Sequence, residues 1–364
     1  MSLARSCAHC HSPAVSTLAW HCGCSGPLEY EWQPHFEPER IDRGCWSQWR
    51  YRAILLPEAL PVQPPVSLGE GMTPLVPFEA GVFLKLEYLM PTGSYKDRGS
   101  ATLLTVLQAE GVDALVEDSS GNAGASIAAY AGAAGIHATI FVPAHAAAGK
   151  KAQIAAFGAT LQEIEGVRQA ASDACQRAAE ETLYASHAWH PAFLLGQMSA
   201  AWELWEQSEG KMPEAILFPV GQGGMLLGYY RGCRALLAAG LIERLPRLIA
   251  VQSQGCAPLV RAWEQGATQV APTEEQPTIA EGIRIAAPAR GDELLRALYE
   301  SEGFALTVED AAIRAAHRTL ARRGLFVETT SAVPLAALPA ARQRLGPDAT
   351  VLIPLSGSGL KEQK

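Results

Sequence analysis

The chain has 364 residues, 48% hydrophobic and 18% charged, which is enough apolar material for a large core and suggests two lobes with a small appendage. Twenty-nine basic and 37 acidic side chains give a net charge of −8, and no basic tract stands out, so nucleic acid is excluded as a partner. No apolar run reaches membrane-spanning length, and residues 1–10 lack the apolar core of a signal peptide; a cytoplasmic protein with no membrane partner is expected.

Residues 1–60 differ from the rest. They hold Cys7, Cys10, Cys22, Cys24 and Cys45, together with Trp20, Trp32, Trp46 and Trp49. In a reducing compartment such a cluster points to metal before disulfide. Cys7-Ala8-His9-Cys10 and Cys22-Gly23-Cys24 are separated by eleven residues. Four thiolates at this separation suit a tetrahedral structural zinc in a zinc-ribbon-like segment. The second pair is one residue shorter than the usual knuckle, which leaves His9 or His21 open as a replacement ligand. A ribbon that has lost its metal is the alternative, and a nucleic-acid-binding ribbon lacks the basic residues it needs. Pro57, Pro61, Pro64 and Pro65 then mark an extended connector. The boundary is placed there: 1–60 is the extension and linker, and 61–364 the main domain.

From residue 82 the chain alternates strand and helix. Strands are expected at 82–86, 114–117, 138–142, 160–164, 215–220, 247–252 and 350–354. Helices are expected at 97–110, 122–134, 150–157, 167–182, 198–207, 308–323 and 332–345. This order predicts an α/β fold with a parallel sheet covered by helices on both faces. Ligands bind such sheets at the carboxyl ends of their strands. Four segments at strand-to-helix turns carry chemistry.

The first is Pro91-Thr92-Gly93-Ser94-Tyr95-Lys96-Asp97-Arg98-Gly99. A lysine among glycines and small hydroxyls, just before an apolar helix, suits a Schiff base, because a partly desolvated amine is a nucleophile toward an aldehyde. A solvated lysine at a helix start is the plain alternative. The second is Ser119-Ser120-Gly121-Asn122-Ala123-Gly124, whose backbone N–H groups open a helix and form an anion site suited to a carboxylate. Helix capping explains its hydroxyls but explains its two glycines less readily. The third is Gly221-Gln222-Gly223-Gly224-Met225-Leu226-Leu227-Gly228, where bare backbone can close on a phosphate. A dinucleotide loop is its rival, though the spacing departs from the strict G-x-G-x-x-G form. The fourth is Ser356-Gly357-Ser358-Gly359, after the last strand, which is also readable as a polar C-terminal turn.

Together these segments resemble threonine synthase and its relatives, the fold-type II pyridoxal-phosphate (PLP) enzymes of the tryptophan synthase β type. The resemblance runs from Ser67-Leu68-Gly69-Glu70-Gly71-Met72-Thr73-Pro74-Leu75 to Leu360-Lys361 and takes in Leu84-Lys85-Leu86-Glu87, Ile279-Ala280-Glu281-Gly282-Ile283 and Val327-Glu328-Thr329-Thr330-Ser331-Ala332. It implies a two-lobed enzyme with the smaller lobe at about 97–190, a small amino-acid substrate and a homodimer. It implies that Lys96 forms the Schiff base with PLP and moves protons. Asn122 would touch the cofactor's 3-hydroxyl, and Gly221, Gln222, Gly223 and Gly224 would hold its phosphate. Ser356 would stand near the pyridine nitrogen, where a neutral hydroxyl leaves that nitrogen unprotonated and favours elimination over transamination. Ser119, Ser120 and Gly121 would receive the amino-acid carboxylate.

One stretch departs from the family pattern. Threonine synthases typically carry Asn-Ser-x-Asn-Pro-x-Arg-Leu-Glu-Gly-Gln, with an asparagine in the glycine loop, to hold the phosphate of O-phosphohomoserine. Here the stretch reads His187-Ala188-Trp189-His190-Pro191-Ala192-Phe193-Leu194-Leu195-Gly196-Gln197, with Met225 in the loop. A phosphate dianion needs charge-assisted donors, and two have become apolar. His187 and His190 offer partial replacements, half-charged only around pH 6.5. The leading expectation is threonine synthase-like elimination and replacement, O-phosphohomoserine plus water giving threonine and phosphate. Threonine or serine dehydration to a 2-oxo acid and ammonia is the alternative. A non-catalytic PLP-fold protein is a third reading, which the retained Lys96 opposes.

Overall fold

The computed structural model describes residues 3–61, 64–146, 148–166 and 168–361. In chain order the elements are β1 (Arg5–Cys7), β2 (Leu28–Tyr30), α1 (Arg52–Leu55), β3 (Leu75–Glu79), β4 (Val82–Lys85), α2 (Lys96–Ala109), β5 (Ala114–Glu117), α3 (Asn122–Ala134), β6 (His137–Pro143), α4 (Ala148–Ala156), β7 (Thr160–Ile164), α5 (Arg168–Ala178) and β8 (Leu183–Tyr184). There follow α6 (Pro191–Gln207), β9 (Ala215–Pro219), α7 (Gly224–Ala238), β10 (Arg247–Ser253), α8 (Pro258–Glu264), α9 (Gly291–Glu300), β11 (Phe304–Val308), α10 (Asp310–Arg322), α11 (Thr329–Leu345) and β12 (Val351–Pro354). Among the described residues no helix is long and apolar enough to cross a membrane.

The chain forms two units, Met1–Gly71 with Met90–Ser199, and Met72–Leu89 with Ala200–Glu362. The first holds a parallel sheet in the order β7-β6-β5-β8 and the small antiparallel pair β1-β2. The second holds a sheet in the order β11-β10-β9-β12-β4-β3, parallel except for β3. The strands thus make two main sheets rather than one. The lysine and serine–asparagine segments belong to the first unit, and the glycine loop and Ser356 to the second. Both sheets are α/β and parallel-rich, as the alternation of apolar strands and helices requires.

Several boundaries differ from the sequence expectation. The expected helix at 198–207 begins at Pro191, because proline's fixed φ and missing N–H suit a first helical turn. The expected helix at 308–323 is instead the end of β11 followed by α10, with Glu309 extended at φ −82°, ψ 152° between them. Residue 167, the expected start of α5, lies outside the described residues. Strands β1, β2, β3, β8 and β11 and helices α1, α7, α8 and α9 had no range in the sequence expectation. The core of the second unit is an aliphatic cluster in which Val82, Leu217, Ile249, Val351 and Ile353 of the sheet meet Ile313 and Leu320 of α10 and Val333 and Leu338 of α11.

The first unit is organised by one close helix crossing. A Cβ added at Gly196 of α6 would lie 2.0 Å from the Arg98 carbonyl oxygen of α2, so only glycine lets these backbones meet. One turn earlier the Phe193 ring packs onto α2, where a Cβ at Gly99 would fall 2.6 Å from it. Buried Arg98 donates to Ser199 Oγ at 3.1 Å, and Gln48 Nε2 donates to the Arg98 carbonyl at 3.1 Å. Asp97 accepts from Thr92 N at 2.7 Å, Thr92 Oγ1 at 2.5 Å and Ser126 Oγ of α3 at 2.6 Å. The Asp-Arg-Gly that follows Lys96 is therefore scaffold: each residue ties the start of α2 to a different neighbour. Gly196→Ala should lower stability by about 3 kcal/mol, the upper end for groups forced into a packed core, read as a shift of the urea midpoint at unchanged m-value.

Candidate active site

Lys96 is the first residue of α2 and is half-buried. Its Nζ lies 4.9 Å from the centroid of the Tyr95 ring and 5.7 Å from that of Phe193. Among the described residues it makes no ion pair and no hydrogen bond through Nζ. Lys85, the other lysine of the resembling segments, has the opposite setting. It is fully buried at the end of β4, forms an ion pair with Glu203, and donates to the Thr73 carbonyl at 2.6 Å. Glu203 also accepts from the backbone N–H of Met72 at 2.8 Å and of Thr73 at 2.7 Å. An amine held in this way has no lone pair to offer, so Lys85 serves the fold of the second unit.

The turn from β5 to α3 carries Ser119, Ser120, Gly121 and Asn122. Its geometry depends on Gly124, where a Cβ would lie 1.8 Å from the Ser119 carbonyl oxygen. Ser119 Oγ accepts from Gly121 N at 3.3 Å, which holds the loop closed. Asn122 begins α3 and is half-buried. No side chain caps this helix, so its first-turn N–H groups face outward for an anion.

Glu117 and His187, neither singled out as a pair from the sequence, meet at 2.7 Å between Glu117 Oε1 and His187 Nδ1. Burial, reinforced by the neighbouring charge of Asp118 and opposed by Lys96, raises the Glu117 carboxyl well above its ordinary range. Burial, with help from Lys96 and Arg168, holds the His187 imidazole well below its ordinary range. The sequence signal was a glutamate closing an otherwise apolar buried strand, Ala114-Leu115-Val116-Glu117. His190 does something different: its Nδ1 accepts from Ala192 N at 3.3 Å and its carbonyl accepts from Phe193 N at 3.1 Å, which caps α6.

In the second unit the glycine loop joins β9 to α7. Gly223 has φ +79°, and a Cβ there would lie 2.4 Å from Leu294, so both conformation and space demand glycine. A Cβ at Gly221 would fall 2.9 Å from the Ile283 Cα. No side chain caps α7, and the N–H groups of Gly224 and Met225 stand at its first turn without intrahelical acceptors. The Gln222 side chain turns elsewhere, its Oε1 accepting from Ala289 N at 3.0 Å, so this residue offers the loop only its backbone. Met225 is buried. Ser356 follows β12 and shares a 2.9 Å hydrogen bond with Ser331 Oγ, which also accepts from Gly357 N at 2.9 Å. This positions the Ser356 oxygen, and Ser331 was visible in the sequence only as part of a family segment.

Residues 66–357 match the family model described as pyridoxal-phosphate dependent enzyme. The chain belongs to the pyridoxal-phosphate dependent enzymes. The chain is 32% identical to the threonine synthase of Methanocaldococcus jannaschii over 96% of its own length and 90% of that protein's. Its fold is similar to that of a T.th. threonine deaminase, with a TM-score of 0.66 and 30% identity over 76% of this chain and 87% of the other. It is also similar to a fungal L-serine ammonia-lyase from Rhizomucor miehei, with a TM-score of 0.70 and 25% identity over 79% of this chain and 93% of the other. The residues of this PLP-family chain fit the cofactor's chemistry. A lysine amine without an ion-pair or hydrogen-bond partner among the described residues suits its aldehyde, and the uncapped first turn of α7, with bare backbone N–H groups, suits its phosphate.

The first unit also brings Cys7, Cys10, Cys22 and Cys24 together, with all four sulfurs within 4.8 Å of one another. Cys7 Sγ accepts from His9 N at 3.3 Å, and a Cβ at Gly26 would press on Cys7 Sγ at 2.7 Å. His21 Nδ1 lies 2.7 Å from its neighbour's carbonyl oxygen, Cys22 O, so the sulfurs alone converge. Hydrogen bonds with Ser12 pull the Cys10 thiol down to about 6. Trp20, between the two cysteine pairs, meets Tyr184 and Trp189 edge-on at 5.3 and 5.2 Å between centroids. Replacing Lys85 by methionine should cost about 3–5 kcal/mol, the usual result of stranding one member of a buried ion pair. Thermal and urea denaturation of Lys85→Met measure it, and a loss below about 1 kcal/mol is incompatible with the buried pair.

Proposed function

We propose that this chain is a PLP-dependent lyase that carries out elimination on a small amino acid, the chemistry of the threonine synthases it resembles. The observation that carries the reading is the contrast between the two lysines: Lys85 is saturated by Glu203 and Thr73, while the Lys96 amine lies near the Tyr95 and Phe193 rings and makes no ion pair or hydrogen bond among the described residues. When bound, PLP supplies an electron sink for negative charge at the amino acid's Cα. Lys96 holds the cofactor and then takes the Cα proton. Ser119, Ser120 and Gly121 receive the carboxylate at the start of α3. Asn122 orients the ring through its 3-hydroxyl. Gly221, Gln222, Gly223 and Gly224 hold the cofactor's phosphate through backbone N–H groups. Ser356, aligned by Ser331, leaves the ring nitrogen without a proton, which favours elimination over transamination. The resemblance also supports a homodimer, and a cytoplasmic setting suits cysteines kept reduced for metal.

A second reading concerns the substrate. Phe193 is fully buried where the resembling enzymes carry an arginine, and Met225 is buried where they carry an asparagine. A phosphate dianion without such donors is costly to bury. These residues favour dehydration of serine or threonine over use of O-phosphohomoserine. Borohydride reduction of the holoenzyme followed by peptide mapping should label Lys96 alone. Profiling ammonia, 2-oxo acid and phosphate release should give the first two products from a hydroxy amino acid. Turnover of O-phosphohomoserine to threonine with kcat/KM at or above about 10⁴ M⁻¹s⁻¹, an ordinary enzyme value, would return the chain to threonine synthase proper. Phe193→Arg should improve phosphohomoserine use if one donor alone is missing.

We further propose that Cys7, Cys10, Cys22 and Cys24 hold one structural zinc. The convergence of four sulfurs supports it. Metal analysis of protein purified without chelator should find about one zinc per chain, the content of a single four-ligand site. Cys7→Ser should lose the metal and lower the melting temperature. Zinc-free protein whose melting temperature the substitution leaves untouched would exclude the site.

A further inference from the structure

Most features outside the described sites are structural or solvent-facing. The buried Glu117–His187 pair is different, because it sits beside the reactive lysine and has no evident structural duty. Glu117 is fully buried, yet its Oε2 has no hydrogen-bond partner among the described residues. His187 is 11% exposed, and Nδ1 is its only hydrogen-bonded ring nitrogen among the described residues. Its ring packs against Phe193 at 6.0 Å between centroids, and the Lys96 amine lies 5.7 Å from that same Phe193 centroid. One phenyl ring therefore has the imidazole and the lysine as neighbours.

We propose that Glu117 and His187 form an uncharged proton relay that delivers a proton from His187 Nε2 to the leaving hydroxyl of a serine or threonine substrate. This rests on the dehydration reading above and names the group that makes hydroxide a possible leaving group. Before reaction the Glu117 carboxyl is protonated and donates to Nδ1, which places the imidazole proton on Nε2. In the reaction the substrate's Cβ–O bond breaks with its electron pair on oxygen. That oxygen takes the Nε2 proton and departs as water, while Nδ1 takes the proton from Glu117. Lys96 takes the Cα proton. One negative charge appears on Glu117 and one positive charge on Lys96, and return of the proton from Lys96 to the pair restores both. The substrate has then lost the elements of water.

The charged and titratable groups around the pair agree with this arrangement. Burial disfavours a charged imidazole at His187, and Arg168 at the start of α5 adds to this whether or not the Lys96 amine carries a charge. Asp118, which accepts from the Tyr184 hydroxyl at 2.8 Å, adds negative charge beside Glu117 and keeps its carboxyl protonated. Cys175 of α5 is buried among the same groups, and burial raises its thiol, so it stays neutral. Between the lowered imidazole range and the raised carboxyl range the pair holds one proton and no net charge. It loses its proton-donating power as pH rises through the carboxyl range.

The test uses PLP-loaded enzyme with L-serine or L-threonine and, in parallel, β-chloro-L-alanine, whose chloride leaves without a proton. His187→Asn and Glu117→Gln should lower kcat on the hydroxy amino acids by about 10²-fold, the low end for a positioned general acid. The loss should shrink below about threefold with β-chloro-L-alanine, and the visible band of the bound cofactor should be unchanged. Nitrogen NMR of the wild-type ring should show the Nε2–H tautomer without titration between about pH 5 and 8, where an ordinary histidine titrates. Equal losses with both leaving groups mean a structural role and overturn the relay. Unchanged turnover of serine or threonine in either variant does the same, as does a ring that titrates in that window. Wild-type enzyme inert toward both hydroxy amino acids overturns the dehydration reading on which the relay rests, a result the NMR arm tells apart from failure of the relay.

Discussion

The first unit depends on the contact of α6 with α2. Helix backbones normally stand 8–10 Å apart, held off by side chains. Here Gly196 removes that spacer against the Arg98 carbonyl, and Gly99 removes it against the Phe193 ring. The reactive lysine is the residue immediately before this crossing. Its backbone is fixed by Asp97, which gathers Thr92 and Ser126, and by Arg98, which reaches Ser199. Rigid elements of this kind are what a covalent cofactor attachment requires, because a displacement of one ångström at the attachment point carries directly to the reacting atoms.

The second unit achieves the same fixity by different means. Its glycine loop is held from behind by Ile283 and Leu294, and its Ser356 hydroxyl by Ser331. The buried Lys85–Glu203 pair ties β4 to the later part of α6 and takes up the Met72 and Thr73 N–H groups, while the Thr73 hydroxyl donates to Glu87 and its carbonyl accepts from Gln207. Neither unit leaves its chemistry-bearing residues to a free loop.

Much of this was legible in the sequence because the informative residues are local. Val82 to Lys85, Ala114 to Glu117 and Thr160 to Ile164 are short apolar or alternating runs bounded by turn residues, and their strands fall where the runs predict. Glycine signatures such as Gly221 to Gly224 announce close backbone approach wherever the partner lies. What stayed hidden depends on residues far apart in the chain. Asp97, Arg98 and Gly99 read as family letters, and only their partners at Ser126, Ser199 and Phe193 show what they do. Strand β8 has two residues, too few for any periodicity. The pairing of Glu117 with His187 spans 70 positions and leaves no local trace beyond a charge at a strand end. Helix α6 starts at Pro191, ahead of the expected 198–207, because proline at a first turn starts a helix.

The aromatic group around Trp20 has an optical consequence. Trp20 stands nearly perpendicular to both Tyr184 and Trp189, at 84° and 77°, with its partners about 5 Å away. Rings this close, in a fixed chiral arrangement, couple their electronic transitions. The cysteine-bearing segment therefore carries its own spectroscopic signature, a near-ultraviolet circular dichroism set by whether Trp20 is seated on Trp189. Because Trp189 lies two residues from His187, the same band reports on the stretch of backbone that carries the imidazole.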